Sequence, residues 1–426
     1  MKKQKSITRV VRGKTKKSPR ILVTSKVQRV VKKNPIKAVK KKDTKVNALK
    51  QKADARAKRL KTPVRLSKIG KGPSLRWTKR YSRSTPKQRQ IKSPLQLEKS
   101  KQNPILMPQE RNAWESGQTF NPAALHEKGT VHLLYRAQGN DGVSRVGYAK
   151  TRDGYTIEER SPYPVYIHGD TPTFHVAAHL SGGGFGGVED PRLTRIDNKV
   201  YMTYLAFDGD PRVTLTSIEG EDFFHKRWNW SGPVPISPAG ELHKNWVIFP
   251  EKIGGKFAIL HSISPRILVD YFDTLDFDGK TYIRSAYKAE AESGGWESHI
   301  RGVGPPPIST DYGWLVLYHA IDRRDPGKYK LGAMLLDKKE PTRVLYRCQE
   351  PILEPNVYYE NEGYKGGIVY TCGAVAIDDR LLVYYGGADT VVCVASADLQ
   401  QFLQALMQDE KPKLQKVDKR ESRSKN

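Results

Sequence analysis

Asn103-Pro-Ile-Leu-Met-Pro108 returns, little changed, as Glu350-Pro-Ile-Leu-Glu-Pro355. Fainter echoes are Tyr163-Pro-Val-Tyr166 and Gly232-Pro-Val-Pro-Ile236. A phrase repeated at irregular intervals points to units built alike, and in a β-rich chain to the blades of a propeller. A sandwich could also repeat a Pro-rich edge. The clearest copies lie near the two ends of the chain's body, so those ends are expected to meet and close a ring.

Between the copies, short apolar runs recur: Val131–Tyr135, Val200–Leu205, Phe257–Leu260, Ile267–Phe272, Trp314–Tyr318, Leu331–Leu336, Leu381–Tyr385 and Val391–Ala395. They are rich in β-branched and aromatic residues. Turn pairs such as Asp153-Gly154, Asp197-Asn198 and Asp278-Gly279 separate them. This is an all-β pattern. No ten-to-fifteen-residue helical pattern alternates with the strands, which excludes a parallel α/β fold. The one clear helix is Ser396–Gln408, with Leu399, Phe402, Leu403 and Leu406 on one face and a capping-box pair in Asp398 and Gln401.

Charge divides the chain. Residues 1–100 hold 35 of the 74 Lys+Arg and only Asp43, Asp54 and Glu98 as acids, a net of +32. The remaining 39 basic and 42 acidic residues net −3. Residues 1–92 are too poor in apolar side chains to offset their ordering entropy and read as a disordered basic tail suited to polyanions such as nucleic acid. Residues 93–410 read as the folded β domain and 411–426 as a second short basic tail. Three cysteines, Cys348, Cys372 and Cys393, form no CxxC pair. That count fits a reducing compartment, and no run approaches the ~20 apolar residues of a membrane span. The expectation is a cytoplasmic protein.

The densest chemical signal is Gly182-Gly-Gly-Phe-Gly-Gly-Val-Glu-Asp-Pro-Arg192. Glycines let backbone approach a ligand. Asp190 reads as an acid at a pocket floor, with Arg192 able to grip a carboxylate in bidentate fashion. A tight structural turn with an Asp–Arg ion pair fits the same spacing equally well. No GK[ST] follows, so this is not a nucleotide loop. Lys244-Asn-Trp-Val-Ile-Phe-Pro-Glu-Lys252, Arg301-Gly-Val-Gly-Pro-Pro-Pro-Ile308, Trp314–His319 and Tyr384-Tyr-Gly-Gly-Ala-Asp389 each set polar residues beside aromatic strand ends. Sugar sites look like this, and so do ordinary cores. His175 and His179 stand four apart without a following Glu, and no metal site is assigned to them.

In order, Asn103–Pro108, Phe120-Asn-Pro-Ala-Ala124, Leu133-Leu-Tyr-Arg-Ala137, Gly187–Arg192, Lys244–Lys252, Gly304–Ile308, Tyr318-His319, Tyr329–Asp337 and Tyr384–Asp389 resemble glycoside hydrolase family 130, the mannoside phosphorylases and related β-mannosidases. The resemblance covers about residues 95–405. It implies a five-bladed β-propeller with Asp190 as catalytic acid, protonating the glycosidic oxygen directly or through the sugar's 3-hydroxyl. Phosphate then attacks from the opposite face and releases α-mannose 1-phosphate with inversion. Such a reaction needs one acid and a cationic cradle, since phosphate is already a nucleophile.

By the same matching, Asn121, Arg136, Asn245 and Asp389 fall at sugar-binding positions. Lys244, Arg301, His319 and Tyr329 fall at phosphate-contacting ones. Lys244 stands where many members have Arg, Ser262 where many have another, and Arg301 one residue from an expected Lys. Lys244, Arg301 and a protonated His319 would supply three cations. The implied function is phosphorolysis of β-mannosides, β-1,4-linked manno-oligosaccharides first among them. Phosphate is co-substrate and no cofactor is required. The alternatives are a β-mannosidase of the same fold, and a non-catalytic glycan-binding propeller tethered by its tail. A homo-oligomer is compatible with the sequence.

Overall fold

The structure, a computed structural model of the 426-residue chain, describes residues 95–169, 185–207, 209–286 and 295–409. All of them fall within one of the chain's two units, Gln88–Asn426. The basic segments 1–92 and 411–426, the pair His175 and His179, and Gly182–Gly184 lie outside the described residues.

The described residues form antiparallel meanders. β1 (Glu98–Lys99) precedes the first, which is β2 (Gln118–Glu127), β3 (Thr130–Gln138) and β4 (Val143–Thr151), edged by β5 (Glu159–Arg160). β6 (Gly186–Ile196), β7 (Lys199–Phe207), β8 (Arg212–Glu219) and β9 (Val234–Pro235) make the next, and a short parallel contact between β4 and β6 joins the two. β10 (Val247–Ile248), β11 (Phe257–Ser262) and β12 (Leu268–Phe272) follow. β13 (His299–Val303) and β14 (Ile308–Thr310) share one edge of β15 (Gly313–Asp322), with β16 (Asp325–Leu336) and β17 (Val344–Arg347) beyond. The last sheet is β18 (Val369–Ile377), β19 (Arg380–Gly387) and β20 (Val391–Asp398). β1 pairs with β20, so the first strand completes the last sheet and the ends of the body do meet.

The repeated phrases share one structural place. Leu106 bridges Val392 on β20, Tyr166 bridges Val146 on β4, Leu353 bridges Leu331 on β16, and Val234–Pro235 is β9 itself, on β8. Each copy runs along the outer side of a meander. Proline suits that place because it lacks the N–H that an inner strand must donate.

The unbroken apolar runs reflect burial on both faces. Val131, Leu133 and Tyr135 of β3 pack with Leu382, Tyr384, Val392 and Val394 of the last sheet. Leu134 of the same strand packs with Val188 and Met202 of the second meander. Successive side chains of a strand point to opposite faces, so a strand covered on both sides needs every position apolar. Val213, Leu215, Trp246, Ile248 and Ile259 fill the layer between the second meander and β10–β12. The largest cluster joins that sheet, the β13–β17 sheet, the last sheet and the C-terminal helix. Sheet packs on sheet in chain order, and the last packs on the first.

The C-terminal helix is Leu399–Asp409, not Ser396–Gln408. Ser396–Asp398 stay in β20 because they pair with Leu382, Leu381 and Arg380. The Gln401 amide donates to Asp398 Oδ1 at 2.8 Å, so the last strand residue caps the helix. Leu399, Phe402, Leu403 and Leu406 are its buried face, as expected. Cys348, Cys372 and Cys393 are buried free thiols. No helix among the described residues is long and apolar enough to cross a membrane.

Candidate active site

β2, β6 and β18, the leading strands of their meanders, approach one another. Each breaks its ladder partway: between Phe120 and Ala123, between Glu189 and Arg192, and between Thr371 and Gly373. β2 and β6 do so at Asn121-Pro122 and Asp190-Pro191. Proline cannot donate to the ladder. The residue before it turns into the left-handed region, φ 46° at Asn121 and 50° at Asp190. Asn245 (66°) and Asp389 (50°) share that conformation. Asn and Asp tolerate it better than other non-glycine residues. The breaks turn polar side chains into a space that regular strands would line with core.

Asp190 is the hub. Its Oδ1 accepts from Asn121 Nδ2 at 2.8 Å and from Arg136 Nη1 at 3.4 Å. Arg136, fully buried over the Phe120 ring, also donates to Glu189 Oε1 at 2.8 Å and Ser144 Oγ at 3.0 Å. Burial acts to raise the Asp190 pKa. Arg136, Arg192, the Asn121 hydrogen bond and Lys244 together outweigh it and hold the carboxyl below its ordinary value. Asp389 moves the opposite way. Burial, with the nearby Asp190 and Glu189, pushes it up to about 6 against the pull of Lys365 and Arg136.

Arg192 does not grip a carboxylate. It donates to the Asp190 carbonyl at 2.7 Å, the Gly304 carbonyl at 2.8 Å and Asn245 Oδ1 at 2.9 Å. The Asp190 carboxylate is already held by Asn121 and Arg136, so Arg192 braces the backbone of the break instead. Asn245 also accepts from Tyr370 Oη at 2.7 Å and donates to the Arg301 carbonyl at 3.1 Å.

Lys244 makes no hydrogen bond or ion pair with a described residue. Burial, then the proximity of Arg301, pulls its pKa down to about 8. Arg301 donates from Nη1 to His299 Nε2 at 2.8 Å, has no partner for its buried Nε, and sits 5.8 Å from the Tyr329 ring centre. A cavity of about 490 Å³ lined by His299, Arg301, Ile321, Arg323, Pro326 and Tyr329 opens beside it.

His319 corrects the expected count of cations. Its ring is buried, stacked 3.8 Å from Tyr370, and Nε2 accepts the Thr371 amide at 3.0 Å. Burial first, then Arg192 and Lys244, drives its pKa well below the usual histidine value. The ring is therefore neutral, with its proton on Nδ1, and Nδ1 has no partner. It offers a hydrogen-bond donor, not a charge. Ser262, which donates to the Ser264 carbonyl at 3.0 Å, brings none either.

Asn121, Arg136, Asp190, Asn245 and Asp389 are joined by hydrogen bonds or close electrostatic contact, with Lys244 and His319 within electrostatic reach of Asp190. Arg301 touches this group through its carbonyl, and Tyr329 through Arg301 and Tyr370. Sequence reasoning missed Tyr370, Thr371 and Lys365. The first two lie in an ordinary-looking strand, and no local pattern marks them. A carboxyl held by donors, with the cations Lys244 and Arg301 near it, can exchange a proton with a ligand and seat an anion beside it.

Comparison with known proteins agrees with this reading. The family described as beta-1,4-mannooligosaccharide phosphorylase matches residues 87–408. A 1,2-beta-oligomannan phosphorylase of a Thermoanaerobacter species is 37% identical over 320 residues, 72% of this chain and 98% of that protein. A beta-1,2-mannobiose phosphorylase of the same organism is 35% identical, covering 68% and 94%. A solved structure from a report that this family of mannoside phosphorylases contains hydrolases targeting β-1,2 mannosidic linkages in Candida mannan aligns with TM-score 0.57 at 26% identity, covering 71% of this chain and 94% of its own.

Proposed function

The chain belongs to glycoside hydrolase family 130 and is a carbohydrate-active enzyme of the mannoside phosphorylase and glycosidase class, and from that premise we propose that it cleaves β-mannosides by inverting phosphorolysis. The observation that carries phosphorolysis is the pair Lys244 and Arg301: two cations near each other, the first with no hydrogen bond or ion pair to a described residue, the second with a buried unpaired Nε. Holding two like charges close together is costly, and a phosphate between them would relieve it with charge-assisted hydrogen bonds. Neutral His319 Nδ1–H and Tyr329 would complete the cradle. Five meanders, each packed on the next and the last on the first, support a five-bladed propeller around this site.

Asp190 acts as the acid. In the free protein its carboxyl is held ionised, so it must gain a proton before it can give one. A phosphate dianion arriving at Lys244 would offset one of the cations that stabilise the carboxylate and raise its proton affinity. The C1–oxygen bond of the mannoside then breaks as Asp190 protonates the leaving oxygen, and phosphate forms the new C1–O bond from the other face. The proton given up is balanced by the one that hydrogen phosphate carries. Asn121, Arg136, Asn245 and Asp389 hold the sugar hydroxyls.

The relatives at 37% and 35% identity are named for β-1,2 linkages, which favours β-1,2-linked oligomannan as substrate over the β-1,4 expectation. Hydrolysis is the second reading. A second buried carboxyl, Asp389 at about 6, could serve water as a base. The same proposal takes the enzyme as cytoplasmic, in keeping with its free thiols, with no cofactor beyond phosphate. An anomer-resolved product assay on β-1,2- and β-1,4-mannobiose, with and without phosphate, decides. Phosphate-dependent α-mannose 1-phosphate is expected. Free mannose released at full rate without phosphate would favour the hydrolase.

A further inference from the structure

Lys365 lies outside every motif that the sequence marks, yet its Nζ stands 3.9 Å from Asp389 Oδ2, in the one ion pair that Asp389 makes among the described residues. Its place is fixed by the loop after the short helix Tyr358–Asn361. The Lys365 amide donates to the Ala388 carbonyl at 2.9 Å and the Tyr364 amide to Thr390 Oγ1 at 2.8 Å. The loop is therefore laced to the turn that carries Asp389 on both sides of that residue. Its root is Glu360, fully buried, which accepts from Lys99 Nζ at 2.6 Å and Tyr385 Oη at 2.9 Å. Where the loop returns, Gly367 has φ 83°, and an added Cβ would lie 2.3 Å from the Gly327 carbonyl oxygen.

The groups facing Asp389 are Asp190 and Glu189 from β6, Arg136 from β3, Lys365 from the loop, and the Cys372 thiol of β18. Both β6 acids already engage Arg136. Lys365 is then the cation that acts most strongly on Asp389, with Arg136 behind it. Neither carboxyl oxygen of Asp389 accepts a hydrogen bond from a described residue, so both are open to sugar hydroxyls.

We propose that Lys365 is a positioning residue of the sugar site, holding Asp389 as a charged, correctly aimed acceptor for substrate hydroxyls. This rests on the reading of Asp389 as sugar-binding. Burial has already pushed the Asp389 carboxyl up to about 6 with Lys365 in place. Loss of this cation moves it further up, so the charged acceptor disappears at a higher pH.

Lys365→Met and Lys365→Arg test this against the parent full-length chain and Asp389→Asn. In Lys365→Met the acid limb of kcat/KM for the mannoside should move up by about one pH unit, with KM for the sugar rising about fivefold near pH 6 and little above pH 8. KM for phosphate should hold, and Lys365→Arg should restore the parent profile. An infrared titration of the carboxyl stretch, with the Asp389 band identified by its loss in Asp389→Asn, reads the same shift without substrate. An unmoved carboxyl midpoint in Lys365→Met overturns the inference whatever the activity. A moved midpoint with sugar KM unchanged in Asp389→Asn upholds the Lys365–Asp389 coupling and instead sinks the assignment of Asp389 to the sugar.

Discussion

At the scale of the single residue, the site is organised by opposed electrostatic environments. Asp190 is held ionised by cations and an amide, Asp389 is pushed toward neutrality by burial, and Lys244 toward losing its charge. Asp190→Asn removes the proton donor at nearly constant volume, so turnover should fall by about 10²–10⁴-fold with the cooperative melt intact. Activity within a few-fold of the parent would reduce Asp190 to a turn residue. Lys244 gives a second prediction. Its folded pKa of about 8 lies below the ordinary 10.5, so its ammonium is present below pH 8 and lost as pH rises through it. KM for phosphate should climb above pH 8, and Lys244→Met should start high and lose that limb. The same variant should raise the melting temperature of the phosphate-free protein near neutral pH, because the lowered pKa shows that the fold disfavours this charge. A melting temperature that falls, with phosphate kinetics unchanged, would show that Lys244 has a structural partner instead.

At the scale of the element, the site depends on leading strands that break their ladders and lie close together. Asn121-Pro122 and Asp190-Pro191 mark two of the breaks. The break on β18 carries no proline and could not be read from sequence. There Gly373 lets β18 pass against β2: an added Cβ would lie 2.4 Å from the Ala124 nitrogen, 2.6 Å from the Ala123 carbonyl carbon and 2.7 Å from the Pro122 oxygen. All three are backbone atoms and cannot turn aside. Gly373→Ala should therefore force the strands apart, costing about 1–3 kcal/mol in denaturant unfolding. It should also lower kcat/KM by about tenfold or more, since β2 carries Asn121 and misplacement near 1 Å is costly. Unfolding and kinetics that match the parent would mean that the two strands are not in such contact.

At the scale of the whole molecule, β1 joins the start of the body to its last sheet. Leu95 and Leu97 are buried there, and Lys99 reaches the buried Glu360 at 2.6 Å. A chain beginning at Ser93 should keep the melt and the mannobiose turnover of the full chain. A chain beginning at Asn103 loses the edge strand and takes the cation from buried Glu360, which keeps only the Tyr385 hydroxyl and the Asn356 and Val357 amides as donors, and should melt lower. Only the full chain should be retained on DNA at low salt, with log affinity falling at a slope of about −0.9 per phosphate neutralised and little sequence preference. Equal retention of the full chain and the Ser93 chain would remove the polyanion role from residues 1–92.

The sequence by itself determined the all-β class, eight of the strands, the buried helix face and the repeated phrases. These follow from local chemistry: side-chain periodicity, turn residues and proline's missing N–H act within a few neighbours. It also brought forward Asp190, Asn121, Arg136, Asn245 and Asp389 through motif order. Only the tertiary structure decided how these groups are charged and paired. Arg192 braces a carbonyl, His319 stays neutral under Tyr370, and Lys365 arrives at Asp389 from a loop distant in sequence. Burial and through-space charge set those states, and both depend on which strands meet, which no stretch of the chain encodes alone.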